Sequence, residues 1–197
     1  MTTENNDMST NPLSGSFGTL GDKPNVVSYA PEEADPILNA AKDILKQIPV
    51  GVKLLEILQK FNIPVKTIKG RELTYTTPDE QSIYMVLPPK AGESPELVAL
   101  TLGCAIRDVE QSVRGFTKPD PELDPIEFAS ITFSRTLDII VNMCQIADEL
   151  KLNLGYTKPL DIVDDLGHSG IYKAYKDEVG HDEMIDILVG SVHDEGN

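Results

Sequence analysis

Apolar residues recur at three- and four-residue spacing over residues 94–116, which gives the clearest amphipathic pattern in the chain. The spacing predicts a central helix, with Ser94 as N-cap, Pro95 as the first helical residue and Gly115 as the C-terminal glycine. We expect the rest of the fold to pack around its apolar stripe, which consists of Val98, Leu102, Ala105, Val109, Val113 and Phe116.

Two polar groups of residues lie away from this stripe. Arg107, Glu110 and Arg114 fall on the opposite side of the predicted helix. Cys104, Asp108 and Gln111 lie at i, i+4 and i+7, so they share a second face beside the stripe. The pattern therefore predicts one apolar face, one charged face and one face that carries a thiol and a carboxylate.

Further helices are predicted on both sides of the central one. Asp35 and Pro36 begin the first, Pro49 ends it, and residues 50–61 form the second. Residues 124–127 (Asp-Pro-Ile-Glu) give an N-cap, a first-turn proline and a capping-box glutamate for a long helix. That helix is apolar over much of its circumference, and its polar residues gather on the remaining side: Arg135, Asp138, Asn142, Gln145 and Glu149. Weaker helical patterns cover 160–166, 171–179 and 181–192.

Three short β-branched and aromatic runs, at residues 64–68, 73–77 and 81–87, predict strands. They predict an α+β fold with helices packed on a small, mainly antiparallel sheet, one face of which is covered by the central helix. We expect a single domain over 35–190, a disordered or extended tail over 1–34 and a frayed C-terminus over 191–197.

Charge and composition narrow the functional classes. The chain has 17 Lys and Arg against 32 Asp and Glu, a net charge of −15, which argues against non-specific binding to nucleic acid or anionic membranes. No apolar run approaches the ~18 residues that span a bilayer, and no basic and apolar signal segment begins the chain. Two cysteines in apolar helical patterns predict reduced, buried thiols and a cytoplasmic protein. The expected partner is a protein or peptide.

Cys104 and Asp108 stand where zinc peptidases of the H-E-x-x-H kind place two histidines. The segment over about 49–150 resembles a family of zincin-like metallopeptidases, whose central helix reads roughly L-A-H-E-L-R-H-A-x-Q and whose later helix reads R-x-x-E-A-D-A. Leu102, Arg107 and Gln111 match the first pattern. Both histidines and the general base are replaced, by Cys104, Asp108 and Ala105.

The later helix offers Arg135-Thr136-Leu137-Asp138, with Asp138 at the position of the third metal ligand that the resemblance implies. The resemblance therefore implies a zincin-like fold that has lost its peptidase activity and keeps a binding or structural role. We expect no catalytic residue and no cofactor.

Two alternatives remain open. The first is a metal-dependent hydrolase in which Cys104, Asp108 and Asp138 converge around zinc or another divalent metal, although Ala105 supplies no base. The second is an unrelated acidic protein-interaction domain. The zincin-like interpretation requires the strand at 81–87 beside the central helix, and the later helix on its Cys104 and Asp108 face.

Two further sets of residues favour a surface role. The three histidines have no compact ligand spacing, and the acidic run in the C-terminal quarter lacks the spacing of a calcium loop. We expect both sets to be solvated; they are His168, His181 and His193, and Asp161, Asp164 and Asp165.

Overall fold

The computed structural model describes residues 35–194 and the side chains up to residue 190. The expected tail at 1–34 lies outside the described residues, as do residues 195–197. The described part contains seven α-helices, each of which overlaps a segment with a predicted helical pattern, although several begin or end two residues outside it. None of these helices combines the length and apolar character needed to cross a bilayer. They are α1 (Pro36–Leu45), α2 (Pro49–Lys60), α3 (Pro95–Val113), α4 (Pro125–Leu154), α5 (Lys158–Asp165), α6 (Ser169–Lys176) and α7 (His181–Asp194).

The three predicted strands are present as β1 (Val65–Lys69), β2 (Thr74–Thr76) and β3 (Ile83–Leu87), in the order β1-β3-β2. β2 pairs antiparallel with β3, as predicted. The other pairing is parallel, with Val65 opposite Ile83. The predicted α+β class is confirmed, but the prediction of a mainly antiparallel sheet is wrong for this pairing.

The mixed sheet arises because β3 lies in the middle, between two strands that precede it in the chain. Ile83, Met85 and Leu87 alternate along β3 and are all buried, so this strand has the strongest reason to occupy the centre. The chain after β1 must cross the end of β3 to reach the far edge. Gly70 allows this crossing, since a Cβ atom there would lie 2.1 Å from Cγ1 of Val86.

The central position of α3 is confirmed. It contacts α1, α2, α4, α5 and the strands β2 and β3. Val98, Ala99, Leu102 and Ala105 have no solvent exposure. The helices α3 and α4 approach closely at Gly103, where a Cβ atom would lie 2.3 Å from Cδ1 of Ile146. The framework that the resemblance requires, with β3 and α4 both against α3, is therefore present.

The C-terminus of α3 explains one wrong prediction. Gly115 has a φ of +94°, and its N–H donates to the carbonyl oxygen of Ser112 at 2.9 Å. The N–H of Phe116 donates to the carbonyl oxygen of Gln111 at 2.8 Å, which completes a Schellman motif. Gly115 thus terminates the helix as predicted. The turn takes Phe116 out of the apolar stripe, and this residue is 69% exposed.

Candidate functional site

The two residues that the zincin-like resemblance aligns with the first metal ligand and the general base lie inside the core. Cys104 and Ala105 are both buried on α3. Burial raises the pKa of the Cys104 thiol to about 12, and the nearby Cys144 and Asp108 add to the effect. Because metals bind the thiolate, a metal at this position would have to displace the proton that burial holds on the thiol.

Asp108, which the resemblance aligns with the second metal ligand, forms a nearly buried ion pair. It accepts hydrogen bonds from Oγ1 of Thr77 and Nη2 of Arg135, both at 3.0 Å. The side chains of Asp108 and Arg135 are only 13% and 10% exposed. This carboxylate therefore joins α3 to α4 and to the residue that follows β2.

Asp138, which the resemblance aligns with the third metal ligand, is bound by a different arginine. Nε and Nη2 of Arg107 each donate to it at 2.7 Å, which is the bidentate geometry of a strong guanidinium–carboxylate pair. Gln111 also donates to Asp138 through Nε2 and to the carbonyl oxygen of Arg135. Arg107 and Gln111, two of the residues on which the resemblance rests, thus both contact Asp138 directly.

Glu110 corrects the expectation that the side of α3 opposite the stripe is a simple charged face. Its side chain is only 3% exposed. One carboxylate oxygen lies 2.6 Å from Nη1 of Arg107, and the other lies 2.7 Å from Nη2 of Arg114. The guanidinium groups of these two arginines compensate for the desolvation of the carboxylate, so the buried charge is not left unpaired.

The polar side predicted for α4 also turns inwards. Arg135 and Asn142 are buried against α3, and Nδ2 of Asn142 donates to the carbonyl oxygen of Gly103 at 3.4 Å. We call this group of facing polar residues the polar seam; it consists of Arg107, Asp108, Glu110 and Gln111 from α3 with Arg135, Asp138 and Asn142 from α4.

The polar seam does not have the composition of a zinc site. Among the side chains described, which end at residue 190, no group of three or more His, Cys, Asp or Glu is placed to hold a metal ion. The guanidinium of Arg135 lies against Asp108, where it repels a cation. Among the described side chains, Nη1 of Arg135 and Oε1 of Gln111 are buried without a hydrogen-bond partner. Nη1 of Arg135 is a donor with no lone pair to offer, so it cannot bind a metal. The residues present therefore do not fit zinc.

Sequence reasoning missed two neighbours of Asp108. Tyr75 lies opposite Met85 in the sheet, and burial raises the pKa of its hydroxyl well above the usual value, with a further contribution from Asp108. Thr77 follows β2 and donates to Asp108. Nothing in the local sequence marks either residue, because their proximity to α3 depends on the crossing at Gly70.

A solvent-open cleft of about 600 Å³ adjoins the seam between α2, α3 and α4. Its apolar wall includes Val50, Leu54, Ile57 and Val141. Arg107, Glu110 and Asp138 line it as well, but their charges are already paired with one another. The cleft thus offers little unpaired charge from the seam to a ligand.

The other candidate residues lie elsewhere on the surface. His181 is exposed at the start of α7, 3.8 Å from Asp182, and His168 is half-buried at the start of α6. The side chain of His193 lies outside the described residues. The three acidic residues of the C-terminal run are exposed, as predicted: Asp161, Asp164 and Asp165.

No family model, curated protein or solved structure matches this chain. The zincin-like resemblance accordingly stays a prediction.

Proposed function

We propose that this chain is a zincin-like domain without peptidase activity, and that it acts in binding another protein or peptide. The observation that carries the proposal is the polar seam, in which both carboxylates at ligand positions are paired with arginines. Asp108 pairs with Arg135, and Asp138 pairs with Arg107. Side chains at these positions stabilise the contact between two helices.

The arrangement of the elements supports the zincin-like part of this proposal. β3 and β2 contact α3, and α4 packs on the face of α3 that carries Asp108. The same contacts weaken the alternative of a metal-dependent hydrolase. That alternative needs Cys104, Asp108 and Asp138 to converge, whereas the two carboxylates are bound by separate guanidinium groups and the thiol is buried.

Metal analysis and a peptidase assay on the purified full-length protein test the loss of activity. We expect less than one zinc per chain. We also expect no chelator-sensitive hydrolysis of casein or of a fluorogenic peptide library. The variant Asp108→Asn, compared at a temperature where circular dichroism shows it to be folded, removes the carboxylate without changing side-chain size. One zinc per chain, together with chelator-sensitive hydrolysis that Asp108→Asn removes, would refute the proposal.

A further inference from the structure

β1 forms one edge of the sheet, and its hydrogen bonds to β3 use only alternate residues. The N–H of Ile83 donates to the carbonyl oxygen of Pro64 at 2.9 Å, and the N–H of Gly70 donates to that of Leu87 at 3.1 Å. In a parallel pairing with this register, Lys66 and Ile68 supply the bonds between these two ends. The other three residues of β1 must direct their N–H and C=O groups away from β3.

Those three residues are Val65, Thr67 and Lys69. Among residues 35–194, β1 pairs with no strand other than β3, and no hydrogen bond joins the backbone of these three residues to another element. Within the part of the chain that the structure describes, the outer edge of β1 therefore presents a row of donors and acceptors that an extended chain can pair with.

The only charged residues of β1 itself are basic. Lys66 and Lys69 are exposed on β1, and Arg71 and Glu72 are exposed just after it. This contrasts with the chain as a whole, which carries a net charge of −15. Residues 119–197 hold seventeen Asp and Glu against five Lys and Arg. Residues 49–118, which include β1, hold eight Asp and Glu against nine Lys and Arg. The edge thus offers positive charge on a predominantly acidic protein.

The sheet face that points away from α3 supplies apolar contacts next to this edge. Ile68, Tyr84 and Val86 lie on that face, since Ile83, Met85 and Leu87 alternate with them and are buried on the other. All three are half-buried, and the ammonium group of Lys66 lies 5.5 Å from the centre of the Tyr84 ring. Alternate side chains of an added strand would contact this apolar face.

We propose that the outer edge of β1 binds an extended acidic segment of a partner protein by strand addition. The segment would pair with the backbone of Val65, Thr67 and Lys69, and its acidic side chains would contact Lys66, Lys69 and Arg71. This inference deepens the proposed binding role and rests on it, while the absence of peptidase activity is tested separately and can hold if strand addition fails.

Fluorescence anisotropy with the full-length protein tests the proposal. The probes are labelled peptides of about ten residues, long enough for one strand, in which Asp or Glu alternates with Val or Ile. The control peptides carry Lys at every acidic position. We expect binding of the acidic peptides that weakens as salt is added, and at least about tenfold weaker binding of the basic ones. Equal binding of both sets, or none, would overturn the proposal.

Thr67→Pro is the most direct variant. This substitution removes a backbone N–H that points away from β3, and an edge strand tolerates proline at such a position. Thr67→Val is the matched control, because it keeps the N–H. We expect Thr67→Pro to weaken peptide binding by about tenfold, the effect of about 1.4 kcal/mol, and Thr67→Val to change it less than about twofold. Unchanged binding by a folded Thr67→Pro variant contradicts strand addition.

Two further measurements keep the proposal falsifiable if Thr67→Pro does not fold. Two peptide series are compared with the wild-type protein, one methylated at the odd-numbered backbone nitrogens and the other at the even-numbered ones. The series whose methylated nitrogens face β1 should not bind, and the series whose methylated nitrogens face solvent should bind as before. Lys69→Glu should weaken binding severalfold and reduce its dependence on salt. If both N-methylated series bind alike, the proposal of an acidic partner segment is wrong. The proposal is also wrong if no peptide binds and the β1 variants instead abolish self-association of the protein.

Discussion

The ion pair between Asp108 and Arg135 provides the sharpest test of the polar seam as a stabilising contact. Both side chains are nearly buried, at 13% and 10% exposure, and Nη1 of Arg135 already lacks a partner. Replacing Arg135 by Met leaves the Asp108 carboxylate with only the hydrogen bond from Thr77. Breaking a buried pair in this way costs about 3 kcal/mol. For a domain of this size that corresponds to a melting temperature lower by about 6 to 12 °C.

A double-mutant cycle separates the pair from the other contacts of each residue. We expect Asp108→Asn and Arg135→Met each to lower the free energy of unfolding by about 3 kcal/mol, and the double variant to lose about 2 kcal/mol less than the two single losses combined. Chemical denaturation measures all four proteins. The exposed pair of Asp43 and Lys46, 2.7 Å apart, is the control, and Lys46→Met should cost less than about 0.5 kcal/mol. Additive losses, or single losses as small as this control, would refute the reasoning.

The remaining predictions concern four other contacts. Gly103→Ala should destabilise the protein by about 1 to 2 kcal/mol because its new Cβ meets Cδ1 of Ile146, and adding Ile146→Val should restore most of that loss in denaturant titrations. Burial opposes ionisation of Asp148, but the hydrogen bonds from Lys176 and Tyr172 lower its pKa overall. The contribution of Asp148 to stability is therefore full above its unfolded pKa of about 3.9 and is lost as pH falls through the lower folded pKa. Asp148→Asn should lower the unfolding free energy by about 1 to 2 kcal/mol at neutral pH. The same variant should show a weaker loss of stability between neutral and acidic pH than the wild-type protein. Cys104 should resist iodoacetamide in the native protein at about pH 8 and react once denaturant unfolds it, as followed by mass spectrometry. Glu149 accepts a hydrogen bond at 2.8 Å from the N–H of Val50, so Glu149→Ala should lower the unfolding free energy by about 1 kcal/mol in the same titrations.

The helices were predictable because their signals are local. Residues such as Asp35 and Asp124 accept hydrogen bonds from the helices that they precede, as their sequence context indicates. The three strands were also predictable from their composition. The parallel pairing of β1 with β3 was not, because it depends on which strand occupies the centre and on a crossing that only Gly70 permits.

The polar seam shows why the site was only partly predictable. Helical spacing placed Cys104 and Asp108 on one face correctly, since that relation is internal to α3. The same spacing suggested that Glu110 lies on a charged face away from the core, whereas it is buried between two arginines. Whether a charged residue is buried depends on the counter-charges that surround it, and the pattern of α3 does not show how Arg107 and Arg114 orient towards it.

The effect of zinc on thermal stability tests the central claim most directly. If Asp108 and Asp138 stabilise the contact of α3 with α4 and bind no metal, zinc at about 100 μM should shift the melting temperature of the full-length protein by less than about 1 °C. A site with a dissociation constant of about 1 μM would add about 2.7 kcal/mol at that concentration and raise the melting temperature by at least about 5 °C. A rise of that size, absent in Asp108→Asn, would contradict the account.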